Sequence, residues 1–320
     1  MEQDAMDNKK GAGGSFLPAS IVAAAVILGG AWIYTTGMKA TPNSTSGHEG
    51  GALAPQEVEL PVAWGDLGVR MAEAGVIDRK QFEAVYAARG GLPMRERELL
   101  AGTGNGKVVM DRENAGVLLN LFWALGLGNK NRILEEGPMM SPQYGGLAGA
   151  GRFASTGGWT LARPSFGGQN LDGRAKGDPS TELGASAMQH YSKHVFFALT
   201  GEQQARVEEM AKNIYRPCCD NSTYFPDCNH GMAMLGLLEF LASGGATEEE
   251  MYRAALAVNA FWFPDEYATI AKYLASQGKA PANAAPKEVL GADYSSISGF
   301  RNIASRIPRG DNQPTGGCGV

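Results

Sequence analysis

The sequence predicts a mostly α-helical protein: one N-terminal transmembrane helix, then an extracytoplasmic helical bundle interrupted by a long Gly-rich loop. Three observations predict it. A charge-free apolar run, Phe16 to Tyr34, stands near the start of the chain. Beyond it, apolar residues recur at helical spacing between helix start and stop signals, and no stretch reads as a confident strand. The 44 glycines concentrate in the head, the middle and the tail, which suggests long irregular connections between packed segments.

The apolar run matches the roughly 20 residues a helix needs to cross the hydrocarbon core. Lys9 and Lys10 precede it, and Lys39 is the next charge after it. The positive-inside rule then leaves residues 1–15 in the cytoplasm and the body outside. The anchor is expected over residues 16–36 as an uncleaved signal-anchor, because the run exceeds a usual signal-peptide h-region. Residues 37–58 are small and polar and read as a flexible tether.

Residues 59–134 read as a helical subdomain. Leu67, Met71 and Val76 share one face, stopped at Gly75. Asp78 caps a helix that turns Phe82, Val85 and Tyr86 inward, and Gly90-Gly91 ends it. A short helix follows Pro93. Asp111 is expected to open a stronger one, with Val117, Leu118, Leu121, Phe122, Leu125 and Leu127 on a broad stripe.

Residues 135–180 carry few helix signals and form the Gly-rich loop. No Gly-Lys-Ser/Thr follows its glycines, so a phosphate-binding loop is rejected. Met139 and Met140 read as packing rather than as soft ligands. Residues 181–277 form a second helical subdomain, with expected helices at Leu183–Leu199, Gly201–Tyr215 and Gly231–Ala242. Thr247 with Glu250 three residues on is a capping box for the next helix. Pro264 forces a break after Phe263. Residues 278–320 read as an irregular tail ending Gly-Gly-Cys-Gly-Val.

A formal charge of −5 and the absence of any Lys/Arg run argue against nucleic-acid binding. The chemistry gathers instead in Arg216-Pro217-Cys218-Cys219 through Asp227-Cys228-Asn229-His230, which holds three of the four cysteines and one of the four histidines. The fourth cysteine, Cys318, lies in the tail. Cys218, Cys219, Cys228 and His230 form Cys-Cys-x8-Cys-x-His, a soft and borderline donor set suited to copper or zinc. His190 and His194, four apart, would share a helix face and supply a second pair of metal ligands.

Two other readings of the same residues stand beside this one. In an oxidising compartment, four cysteines can form two disulfides. Neighbouring Cys218 and Cys219 bond each other only through a strained ring, so Cys228 and Cys318 are the more natural partners. Alternatively the thiols are redox-active. A helix start, His230 and Arg216 would each favour a Cys228 or Cys218/Cys219 thiolate.

Ala211 to Cys219, the following Asp227-Cys228-Asn229-His230, the apolar helix, Ala242 to Met251 and Phe261-Trp262-Phe263 together resemble the periplasmic helical thiol domain of cytochrome c maturation proteins. The likeness covers about residues 205–265. It implies a membrane-anchored, periplasm-facing thiol–disulfide or haem-attachment factor with an envelope protein as partner, and with Cys218 and Cys219 as its cysteine pair. The family's pair is Cys-x-x-Cys, whereas here the two are adjacent, and Cys228 and His230 are additional. Cys-x-x-Cys-His is absent, so a c-type haem attached to this chain is not expected. From the residues alone the reading is a membrane-tethered copper- or zinc-binding protein, with a thiol oxidoreductase or a disulfide-stapled envelope scaffold as alternatives.

Overall fold

The core is organised around two helices, α4 (Ala115–Gly128) and α7 (Asn229–Ser243), that cross backbone against backbone. The computed structural model describes residues 53–87, 90–146 and 189–307. The expected anchor, most of the tether, the glycine stretch beyond residue 146 and Cys318 lie outside them. Among the described residues no helix is long and apolar enough to cross a membrane.

Both helices are apolar almost all round, which is the pattern of a buried helix rather than a surface one. Twelve of the 14 residues of α4 are buried, and the expected stripe from Val117 to Leu127 is among them. The crossing depends on two glycines. A β-carbon on Gly126 would run into the Met232 carbonyl oxygen, and one on Gly236 into the Phe122 carbonyl oxygen.

The described chain is mostly helical, as expected. It also contains strands where none was expected. β1 (Glu57–Gly65) pairs antiparallel with β2 (Asn105–Asp111). β1 therefore begins inside the stretch read as tether. Its even-numbered residues Val58, Leu60, Val62 and Trp64 alternate with Glu57, Glu59, Pro61 and Ala63, the period of a half-buried strand. Pro61 argues against a strand because it cannot donate to a ladder. The pairing register shifts between Glu59 and Ala63, and that irregularity accommodates it. Trp64 stands over the crossing, its ring 5.7 Å from Phe122 and 5.6 Å from Phe240, and donates from Nε1 to the Leu99 carbonyl.

Around this centre lie α1 (Leu67–Glu73), α2 (Arg79–Ala87), α3 (Met94–Ala101) and the short α5 (Arg132–Glu136), then α6 (Gly201–Asn213), α8 (Glu248–Trp262) and α9 (Pro264–Ser276). α4 starts at Ala115, later than expected. Asp111 ends β2 instead, and its carboxylate accepts from the Glu113 and Asn114 amides. The Thr247–Glu250 capping box is present with both reciprocal bonds, and Pro264 is the first residue of α9.

Two other expectations are corrected. Residues 189–200 are turn and extended chain, not the end of a Leu183–Leu199 helix. The tail is not irregular through residue 305: it forms α10 (Pro286–Val289), α11 (Ala292–Ser295) and α12 (Ile297–Ser305). Met139 is buried in the core and Met140 packs against it.

Glu239, on α7, is a fully buried carboxyl group whose Oε1 accepts from the Asn131 side-chain amide. Burial pushes its pKa well above the ordinary 4.5. Its folded-state pKa lies above the unfolded one, so its penalty is absent below about pH 4.5 and grows as pH rises towards the folded value. Glu239→Gln is therefore expected to melt at or above the parent at pH 8 and to lose that advantage at pH 4. Thermal denaturation at the two pH values checks it, and a lower melting temperature at pH 8 would contradict the assignment.

Candidate metal centre

The site is built where the chain leaves α6, turns, and enters α7. Ile214 anchors the turn, because its carbonyl accepts from the amide of the fully buried Thr223 at 2.8 Å and from its hydroxyl at 3.0 Å. Pro217 and Pro226 restrict the backbone between the two helices, so the segment folds as a tight loop. Its outer side is held by the C-terminal helices. Asp220 accepts from the amide and hydroxyl of Ser298 at 2.9 and 2.8 Å, and the Ile297 amide donates to the Cys219 carbonyl at 3.0 Å.

Arg216 fills the loop's interior and is 1% exposed. Its Nε donates to Cys228 Sγ at 3.2 Å, its Nη1 to the Asn221 carbonyl at 2.8 Å, and its Nη2 to Asp227 Oδ1 at 2.7 Å and the Phe225 carbonyl at 3.3 Å. Asn221 Nδ2 donates to the other carboxylate oxygen of Asp227 at 2.8 Å. Gly231 leaves room for the guanidinium, since a β-carbon there would stand 2.5 Å from Nη2.

Cys228 is the N-cap residue of α7, and its sulfur accepts from the Gly231 amide at 3.4 Å. Cys218 Sγ lies 3.7 Å from Cys228 Sγ. The His230 imidazole comes from the first turn of α7 and is seated by Phe263, with ring centres 4.4 Å apart, and by Trp262 at 5.8 Å. Two sets of ligand atoms lie within 4.8 Å of one another: Cys218, Cys228 and His230, and Cys219, Asp227 and Cys228. All of these residues are partly buried. Cys228 belongs to both sets.

The electrostatics single out the same sulfur. Thiols of Cys218 and Cys219 directed at Cys228 hold its pKa well below the usual thiol value, with Arg216 and His230 acting in the same direction against burial. Donation to Cys219 and Cys228, together with burial, pushes Cys218 up. Cys219 is pushed up to about 11: its contact with Cys218 pulls it down, but donation to Cys228 and burial outweigh that. Burial raises Asp227 although Arg216 pairs with it. Cys218, Cys219 and Cys228 are free thiols.

His190 and His194 belong to neither set. They stack on each other, ring centres 5.1 Å apart, with His190 Nδ1 2.8 Å from His194 Nε2. The His194 amide donates to the Gly128 carbonyl at the end of α4, and Phe196 stacks on its ring. Met232 and Met234 are buried in the core.

Burial, then the neighbouring His194, lower the His190 pKa from 6.5 to about 4. Its folded-state pKa is depressed, so its contribution is lost as pH falls from about 6.5 to about 4. His190→Gln is expected to flatten the stability profile across that window, measured by chemical denaturation at stepped pH. An unchanged slope would contradict it.

Arg216 has a larger structural part in this loop than its sequence position indicates, since that position points only to favouring a thiolate. Its signal is local: an arginine two residues before the paired cysteines, and a glycine after His230 that leaves room for it. No family model matches the chain, and comparison with curated proteins and with solved structures finds no similar protein.

Proposed function

We propose that the chain is a membrane-tethered, extracytoplasmic metal-binding protein that holds copper or zinc at Cys218, Cys228 and His230, with Cys219 beside them. The observation that carries this reading is the convergence of two sulfurs and an imidazole nitrogen within 4.8 Å. Two thiolates on one tetrahedral ion, each about 2.3 Å from it, stand roughly 3.8 Å apart. The 3.7 Å between Cys218 and Cys228 fits that separation without rearrangement. The tether and the compartment rest on the charge-free Phe16–Tyr34 run and the lysines before it.

The full-length chain, purified without chelator and under reducing conditions, is expected to carry about one copper or zinc ion, measured by elemental analysis. Cys228→Ala and His230→Ala are each expected to lose it. Retention by both variants, or a metal-free parent that cannot be loaded, would contradict the proposal.

One observation favours a second reading, thiol–disulfide exchange. A thiolate-favouring Cys228 faces Cys218 at a distance that a small movement would close to a bond. This is also the chemistry implied by the likeness to cytochrome c maturation proteins, with an envelope protein as partner. A metal-free chain whose Cys218–Cys228 pair exchanges with glutathione would establish it. Two inert disulfides would instead establish a stapled envelope scaffold.

A further inference from the structure

On the metal-binding reading, on which this inference rests, the three ligands are not held alike. Cys228 and His230 stand at the start of α7, whose body is buried in the crossing with α4. Cys218 stands on the loop. Among the described residues neither its backbone amide nor its carbonyl is hydrogen-bonded. Its place is therefore inherited from the residues on either side of it.

Both sides are tied to the C-terminal helices. Upstream, the Tyr215 amide donates to the Leu290 carbonyl at 2.8 Å, and the Tyr215 carbonyl accepts from Asn259 Nδ2 at 2.9 Å. Asn259 also donates to the Tyr267 hydroxyl at 3.1 Å, and that hydroxyl meets Ser295 Oγ at 2.8 Å, just ahead of α12. Downstream, α12 docks end-on against the loop. The amides of Ile297, Ser298 and Gly299 precede the first intrahelical bond of α12, so their partners lie elsewhere. Ile297 donates to the Cys219 carbonyl at 3.0 Å, and Ser298 to the Asp220 carboxylate at 2.9 Å. The Gly299 amide is capped by Ser296 Oγ at 3.0 Å. The Ser298 hydroxyl adds a second bond to Asp220 at 2.8 Å, and a carboxylate at a helix start also complements the helix dipole. The first turn of α12 has no slack of its own, because a β-carbon on Gly299 would run into the Ala292 carbonyl.

We propose that Asp220 and Ser298 are positioning residues of the centre: the first turn of α12 sets where Cys218 stands against Cys228 and His230, and so sets the metal affinity. Neither residue is a ligand. The quantity they control is the 3.7 Å separation of the Cys218 and Cys228 sulfurs. Metal–ligand bonds tolerate displacements of only about 0.2 Å, so a loosened Cys218 is lost from the ion before the fold is lost.

The test uses the full-length chain under anaerobic, reducing conditions, offered copper(I) and zinc(II) separately in competition with a chelator. Parent, Asp220→Ala, Ser298→Ala and Ser298→Thr are compared, with helical circular dichroism recorded for each metal-free chain. Glu288→Gln is the control, because it disturbs the Lys279 and Tyr294 contacts of the same C-terminal helices without touching the loop. Asp220→Ala is expected to lose about tenfold in affinity for the ion that the parent holds more tightly. Ser298→Ala is expected to lose part of that, and Ser298→Thr, which keeps the hydroxyl, to restore the parent value. Glu288→Gln is expected to match the parent. X-ray absorption at the edge of the bound ion is expected to report two sulfur neighbours in the parent and one in Asp220→Ala, a change that general loosening would not produce. Parent affinity and two sulfurs in a folded Asp220→Ala, or an equal loss in Glu288→Gln, would overturn the positioning role and leave the metal centre standing. Should Asp220→Ala not fold, equal affinities of Ser298→Ala and the parent would overturn it. Failure of the folded parent to hold either ion would overturn the metal reading itself.

Discussion

Gly236→Ala is expected to destabilise the protein by about 3 kcal/mol, the upper part of the range for overpacking a close-packed site. Helix propensity alone predicts the opposite sign, because alanine is the better helix former by about 1 kcal/mol. The contact decides between them. A β-carbon on Gly236 meets the Phe122 carbonyl and the backbone of Gly126, and neither is the flexible end of a side chain that could move aside. Gly126→Ala is expected to behave alike, because its β-carbon meets the Met232 carbonyl and the Gly236 amide across the same crossing. The double variant should fall short of the sum, since both substitutions separate one pair of helices. Urea denaturation measures all three, and a stabilised Gly236→Ala would contradict the crossing described above.

Arg216→Met is expected to cost about 3 kcal/mol or more and, on the proposed metal-binding reading, to abolish metal retention with it. The hydrophobic replacement fills the space but leaves Asp227, the Asn221 and Phe225 carbonyls and Cys228 without their shared donor. Asp227 is the main source of the cost, because its side chain is only 18% exposed and loses its ion-pair partner. Arg216→Lys is expected to recover part of the stability only, since an ammonium group is a point charge and cannot span four acceptors held around a planar fork. Adding Asp227→Asn to Arg216→Met should recover stability, because the stranded carboxylate is removed. Denaturation of the single and double variants checks this. Additive losses would mean that the guanidinium is not what organises the loop.

Local, repetitive signals were legible in the chain, and long-range ones were not. The apolar stripe of α4, the Thr247–Glu250 capping box and the Pro264 break depend on residues within a few positions of each other, and each occurs in the structure. β1 was obscured because Pro61 reads as a strand breaker, and only the partner strand, some 40 residues on, reveals the shifted register that accommodates it. The His190–His194 spacing fits a helix face, but the backbone there is bound to the end of α4. The Ser192 amide donates to Leu127 and the His194 amide to Gly128, so tertiary hydrogen bonds replace the helical ones.

The Cys/His cluster was legible in part. Cys218, Cys228 and His230 were expected together and are together. Cys219 falls in the other set because its adjacent position on the chain turns its side chain towards Asn221 and Asp227. The clamp of Ser298 on Asp220 joins residues 78 apart in the chain, and spacing gives no hint of such a contact. The glycine pair at the helix crossing was equally silent, because a glycine inside an apolar run reads only as a weakened helix.

The most direct test of the account is a crystal structure of the full-length, copper-loaded chain, with anomalous scattering collected at the copper edge. A single anomalous peak bonded to Cys218 Sγ, Cys228 Sγ and an imidazole nitrogen of His230 is the predicted result. A Cys218–Cys228 disulfide in place of that peak, or copper bound away from these three residues, would contradict it.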